Sequence, residues 1–159
     1  FLREIPISQL GEDKQEEMSK NLERYSLYEA YEVRQVLETK AMDLIVRNAT
    51  DSDLDEVETA YQTMLLRFAE TNTTTGEFEL HQLYAKKTGS VFMEQTLNIV
   101  LSTILEMMHT TSHNVMDMHQ VEEEKADHRR IIDALHKRDS SAAQQAMYDH
   151  IQHTLDILQ

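Results

Sequence analysis

Three glycines and one proline are all the chain breakers in 159 residues. A sheet protein needs tight turns every few residues, and those turns draw on Gly, Pro and their usual companions. Gly11, Gly76 and Gly89 stand far apart, and Pro6 sits near the start. There is therefore no glycine-rich loop to cradle a phosphate. Apolar residues recur instead at the helical period over most of the chain. With 40% hydrophobic residues the chain can fill one core of this size. The expected fold is all-α, an antiparallel helical bundle of six helices, with a seventh if part of Gln15–Arg24 is helical.

The first helix is expected from Ser26 to Asn48, with Ala30, Val33, Leu37, Ala41, Leu44 and Ile45 as its inward stripe. Thr50-Asp51-Ser52-Asp53 offers a stop and a cap, so the second helix is placed at Asp53–Glu70. Thr71–Gly76 reads as a loop, followed by a third helix from Glu77 to Lys87 and a fourth over Val91–Thr110. A polar break at Thr110–Asn114 precedes the fifth, which reaches about Arg138. Asp139-Ser140 makes a short turn and caps the sixth, ending near Leu158. Residues 1–24 form a polar lead-in, and residues 25–159 a single domain. A start at Phe1 rather than Met reads as part of a longer protein with an N-terminal domain ahead of it.

Charge narrows the partners. Fifteen basic residues face 29 acidic ones, a net charge of −14. Such a surface repels a phosphate backbone, so this chain by itself is not expected to bind nucleic acid. No apolar run exceeds three residues, which excludes a membrane-spanning helix and a signal-peptide core. The absence of cysteine excludes disulfides, thiolate metal sites and cysteine nucleophiles, and fits a reducing cytoplasm.

Eight histidines carry what chemistry the sequence offers. Glu77 and His81 are one turn apart on one helix face. His128 lies 11 residues before Asp139 and His150 lies 11 after it. Two antiparallel helices joined at Asp139-Ser140 set both rings at one height, roughly 16 Å from the turn. His128 shares a stripe with Ile131, Ile132 and Leu135, and His150 with Ala143, Ala146, Met147, Thr154 and Ile157. Both rings thus point inward, where an unsatisfied polar group costs about 1–3 kcal/mol. A backbone carbonyl, a water or a divalent metal could satisfy them, and spacing does not say whether the two pairs meet. Three imidazoles with one carboxylate would suit zinc, nickel, manganese or iron. His109, His113 and His119 lie in a Met-rich stretch and read as a solvated helix end. His136 and His153 read as surface residues, with His153 close to His150. Arg34 lies beside the first helix's stripe. Turned inward it needs an anion, such as a ligand carboxylate; turned outward it pairs with Glu38.

These residues resemble the FCD domain, the C-terminal effector-binding domain of FadR-subfamily, GntR-type bacterial transcription regulators. The first-helix pattern stands at Leu27–Glu38, above all Glu32-Val33-Arg34 and Leu37-Glu38, and continues through Ala49–Leu54. The family's Asp-x-x-x-His motif stands as Glu77-Phe78-Glu79-Leu80-His81, its next histidine motif as Asp127–Leu135, and its closing pattern as Asp139–Ile151. Together these cover about residues 26–158. Two departures are visible: Glu77 replaces the usual Asp, one methylene longer, and Gly89-Ser90 replaces a usual Gly-Asn.

The resemblance implies a divalent metal, zinc first, held by Glu77, His81, His128 and His150, and a small organic acid effector of the sugar-acid or hydroxy-acid class. Arg34 is the expected second anchor for that acid. It also implies a cytoplasmic homodimer that reaches DNA only through an attached N-terminal winged helix-turn-helix domain. Two alternatives stand beside it. One is a metal-dependent bundle enzyme, for which Glu106-Met107-Met108-His109 supplies one Glu-x-x-His but no second is found. The other is a metal that only stabilises the bundle.

Overall fold

The computed structural model describes residues 27–71, 75–111 and 117–159. Among them are six helices and no strand: α1 Leu27–Asn48, α2 Asp51–Thr71, α3 Thr75–Lys87, α4 Val91–Thr111, α5 Met118–His136 and α6 Ser140–Leu158. The all-α, six-helix expectation holds. The lead-in with its expected seventh helix, His113 and the middle of the Thr71–Gly76 loop lie outside the described residues. None of these helices is long and apolar enough to cross a membrane.

Local chemistry sets the ends. Helix α2 begins two residues earlier than expected because Thr50 is its cap. The Asp53 amide donates to Thr50 Oγ1 at 3.1 Å, and the Thr50 amide donates to Asp53 Oδ2 at 2.9 Å. Asp117 and Gln120 form the same reciprocal box at the start of α5. Asp139 caps α6 as its spacing predicted, accepting from the Ala142 amide at 3.0 Å. Gly89 sits at φ +70° between α3 and α4, and a Cβ there would meet Asn48 Cβ at 3.1 Å. Arg138 is left-handed without being glycine, at φ 54°. Its guanidinium donates to the Ala49 carbonyl at 2.6 Å and to Asp51 Oδ1 at 2.8 Å, tying the end of α5 to the α1–α2 corner.

Helix α1 is the hub, packing on α6, α4, α3 and α5, while α5 packs on α6 and α2, and α3 on α2 and α4. Its buried face is not the expected one. Tyr31, Arg34, Gln35, Glu38, Ala41, Met42 and Ile45 are buried. Of the expected stripe only Ala41 and Ile45 are buried, and Val33 is 52% exposed. Counting apolar residues finds the wrong face because three inward positions are polar and satisfied by specific partners. Gln35 Nε2, for one, donates to the Tyr148 carbonyl at 3.0 Å and to Gln152 Oε1 at 3.1 Å on α6.

This assignment of faces is testable by urea unfolding. Met42→Ala should lower stability by about 2–5 kcal/mol, as core truncations do. Val33→Ser should change it by less than about 0.5 kcal/mol, as exposed substitutions do.

Candidate metal centre

Four helices send charged or titratable side chains to one place: Arg34 and Glu38 from α1, Glu77, His81 and Tyr84 from α3, Glu124, Asp127 and His128 from α5, and His150 from α6. The antiparallel register of the α5–α6 hairpin is seen in Arg130 donating to Asp149 at 2.6 Å and in His150 Nδ1 meeting Asp127 Oδ2 at 3.1 Å. That register brings the His128 and His150 rings to a centroid distance of 4.5 Å. Helix α3 supplies the other half. His81 stacks on His150 at 5.2 Å and lies edge-on to His128 at 5.0 Å.

Each ring is held by one nitrogen and offers the other. His81 Nδ1 lies 2.5 Å from Glu38 Oε1, His150 Nδ1 lies 3.1 Å from Asp127 Oδ2, and His128 Nδ1 lies 3.0 Å from the Tyr84 hydroxyl. A carboxylate accepts from Nδ1–H and fixes that tautomer for His81 and His150. The Nε2 atoms then converge. Glu77 Oε1 is 2.7 Å from His81 Nε2 and 3.3 Å from His150 Nε2, and those two nitrogens are 3.2 Å apart. One ligand atom from each of Glu77, His81, His128 and His150 lies within 4.8 Å of all the others, and all four residues are buried. Donors held about 2.1 Å from one cation at angles of 90–120° stand about 3.0–3.6 Å apart; the 2.7, 3.2 and 3.3 Å separations among Glu77, His81 and His150 are near that range, and the widest in the set, up to 4.8 Å, would have to close for one ion to touch all four. His128 Nε2 is buried without a hydrogen-bond partner, the mark of a donor aimed at something other than protein. These four residues could therefore hold a metal ion.

The electrostatics point the same way. Burial drives the His128 ring well below its ordinary pKa, and the neighbouring His150 and His81 rings add to the effect. Burial also opposes charge on His150, but Glu124, Asp127 and Glu77 outweigh it and lift that ring to about 10. A proton on His150 thus stands among carboxylates where a cation would neutralise the same charges. Burial lifts the Glu124 carboxyl to about 7.

Arg34 is turned inward, 1% exposed. Its Nε donates to Glu38 Oε2 at 2.6 Å and its Nη2 to Glu77 Oε1 at 3.1 Å, with the Tyr31 and Phe78 rings 5.1 and 5.2 Å away. The outward reading of Arg34 fails: it faces the interior, where the anions it meets are Glu38 and Glu77. Among the described residues, no other histidine belongs to the group of four. His119 and His136 are exposed, and the His109 side chain lies outside the described residues. His153 is half-buried, its Nδ1 2.8 Å from the same Asp127 oxygen that meets His150. Glu106, the carboxylate of the lone Glu-x-x-His, is exposed.

The model of the FCD domain matches residues 29–153. The chain belongs to the FCD domain family. It is thus a regulatory domain of GntR-type regulators, a family of transcription factors rather than enzymes. Among solved structures, the fold is shared with Streptococcus agalactiae GntR at 22% identity, with a TM-score of 0.70 over 83% of this chain and 59% of that one. It is shared too with E. coli McbR/YncC at 15% identity, with a TM-score of 0.71 over 82% of this chain and 66% of that one. No curated protein matches by sequence.

Sequence reasoning missed three carboxylates of this FCD site: Glu38 as a partner of His81, Asp127 as the holder of His150, and Glu124. Helical spacing carried a signal for the last, since Glu124 stands one turn before His128 as Glu77 stands one turn before His81.

Removing Arg34 strands two buried carboxylates. Arg34→Ala should destabilise the metal-free domain by about 3–5 kcal/mol in urea unfolding, the usual cost of breaking a buried ion pair from one side. A loss below about 1 kcal/mol would mean that Glu38 and Glu77 do not depend on the guanidinium.

Proposed function

We propose that residues 25–159 are the effector-sensing and dimerising module of a FadR-subfamily transcription regulator that works in the cytoplasm. In this reading residues 1–24 lead in from a winged helix-turn-helix domain, and DNA is reached only through that domain. Glu77, His81, His128 and His150 hold a divalent metal, zinc first, with nickel, manganese or iron as alternatives. The effector is a small organic acid of the sugar-acid or hydroxy-acid class. The observation that carries the proposal is the shared orientation of the three imidazoles, each with Nδ1 engaged and Nε2 turned to the same point beside Glu77.

When bound, the metal would supply a Lewis-acid seat for the effector's carboxylate. The chain's own residues do the rest. Glu38 and Asp127 keep the Nδ1 protons of His81 and His150, which leaves both Nε2 lone pairs free. Arg34 holds Glu77 in place and balances part of the cluster's negative charge. Its bonds to Glu38 and Glu77 use Nε and Nη2, so Nη1 is the nitrogen that would meet an effector carboxylate. Burial of the donors removes competing water. Because the donors come from α3, α5 and α6, and α1 packs on all three, occupancy would bias how these helices sit together. In a homodimer that bias would alter the spacing of the attached DNA-binding domains.

Elemental analysis of the purified protein should find divalent metal bound at the cluster, lost on Glu77→Ala, His81→Ala, His128→Ala or His150→Ala. Unchanged metal content in all four variants would remove the site. Titration calorimetry with a panel of sugar acids and hydroxy acids should then give binding to the metal-loaded protein and much weaker binding to the stripped one. Equal affinities would deny the metal a part in sensing. A structural metal would instead raise the melting temperature by mass action with no further rise from any acid.

A further inference from the structure

One carboxylate in the cluster stands outside the four-ligand reading. Glu124 Oε2 is buried and makes no hydrogen bond, and the same is true of His128 Nε2. The two atoms lie 3.5 Å apart, and Glu124 Oε2 is 3.8 Å from His150 Nε2. An acceptor oxygen and a ring nitrogen left without bonds in a dry interior are both expensive, about 1–3 kcal/mol each. A cation beside both satisfies them together. The sequence spacing fits: Glu124-Lys125-Ala126-Asp127-His128 repeats on α5 the Glu-x-x-x-His arrangement of Glu77–His81 on α3.

We propose that Glu124 is a fifth protein ligand to the metal and the exchangeable one, holding the seat that an incoming carboxylate takes. Exchangeability follows from its position at the rim. Its side chain is 16% exposed, against 7% for Glu77, 2% for His150 and none for His81 and His128. It is the most exposed of the five, so moving it toward solvent disturbs the least buried surface. The exchange swaps one metal–oxygen contact for another, carboxylate for carboxylate, so the charge around the cation is unchanged. Glu124 thereby acts as an internal competitor that sets how strongly an organic acid must bind.

This inference rests on the metal reading above, and cobalt(II) separates the two. Glu124→Gln and Glu124→Ala should each weaken cobalt affinity roughly 10- to 100-fold in chelator competition and change the visible spectrum of the bound ion. Acetate should restore cobalt affinity to Glu124→Ala but not to His128→Ala, and should bind cobalt-loaded Glu124→Gln more tightly than the loaded wild type. Wild-type cobalt affinity and spectrum in both Glu124 variants would overturn the fifth ligand while leaving the four-ligand site intact. Equal acetate affinity in Glu124→Gln and wild type would overturn the exchange. A wild-type protein that takes up no cobalt would overturn both readings.

Discussion

A guanidinium sealed inside a helical bundle determines what the surrounding helices must provide. Arg34 cannot discharge, and its burial is tolerable only because Glu38 and Glu77 bring carboxylates to it from two helices. Those carboxylates in turn bring His81, whose two nitrogens lie against Glu38 and Glu77. The polar cluster is therefore continuous from α1 through α3 to the α5–α6 hairpin. It occupies space that hydrophobic residues of similar volume would fill at lower electrostatic cost. Such an arrangement makes physical sense where the cluster has a charged ligand to meet. It makes little sense as a way of holding helices together.

The arrangement also explains which parts of the fold the sequence disclosed. The α5–α6 hairpin was legible because a short turn with a capping Asp fixes a register, and register fixes height; His128 and His150 follow from counting outward from Asp139. The helices themselves were legible from period and breakers. The buried face of α1 was not, because the inward residues Arg34, Gln35 and Glu38 look like surface residues, while Val33 and Val36 look like core. Nothing within α1 says which reading holds. Their partners Tyr148, Gln152, Glu77 and His81 lie at least 43 residues on in the chain, a distance over which spacing carries no information. The meeting of Glu77 and His81 with the hairpin was likewise open to spacing and came only from the family pattern. Glu124 and Asp127 were passed over for a different reason. On a chain with 29 acidic residues, a carboxylate is assigned to the solvent unless something marks it; Glu124 had such a mark in the turn-spaced His128, and Asp127 had none.

Asp127 shows how the acidic excess is put to use near the site. One of its oxygens meets both His150 Nδ1 and His153 Nδ1, so a single carboxylate orients an inward ring and a half-exposed one. Helix α6 is thus fixed to α5 at two successive turns, beside the Arg130–Asp149 pair. The hairpin behaves as one unit in consequence: its register, its cap at Asp139 and its polar clasps all act between α5 and α6.

Helix α3 stands outside that unit. It packs on α1, α2 and α4, and it approaches the hairpin's histidines through the rings of His81 and Tyr84 and the carboxylate of Glu77. A ligand seated among these donors draws α3 and the hairpin together, and it can bias the fold only by its differential contact with those two bodies. The helix that registers the difference is α1, which packs on both and carries the charge that Glu77 shares with the cluster. A change of a few tenths of an ångström at Glu77 alters the Arg34–Glu38 pair directly, because the three side chains hydrogen-bond in sequence within a dry interior, where such bonds are strong and a broken one is costly. Arg34 is for this reason better placed as the relay between the histidine–carboxylate cluster and the bundle than as an isolated anchor, and its polar neighbours on α1 are the price of that connection.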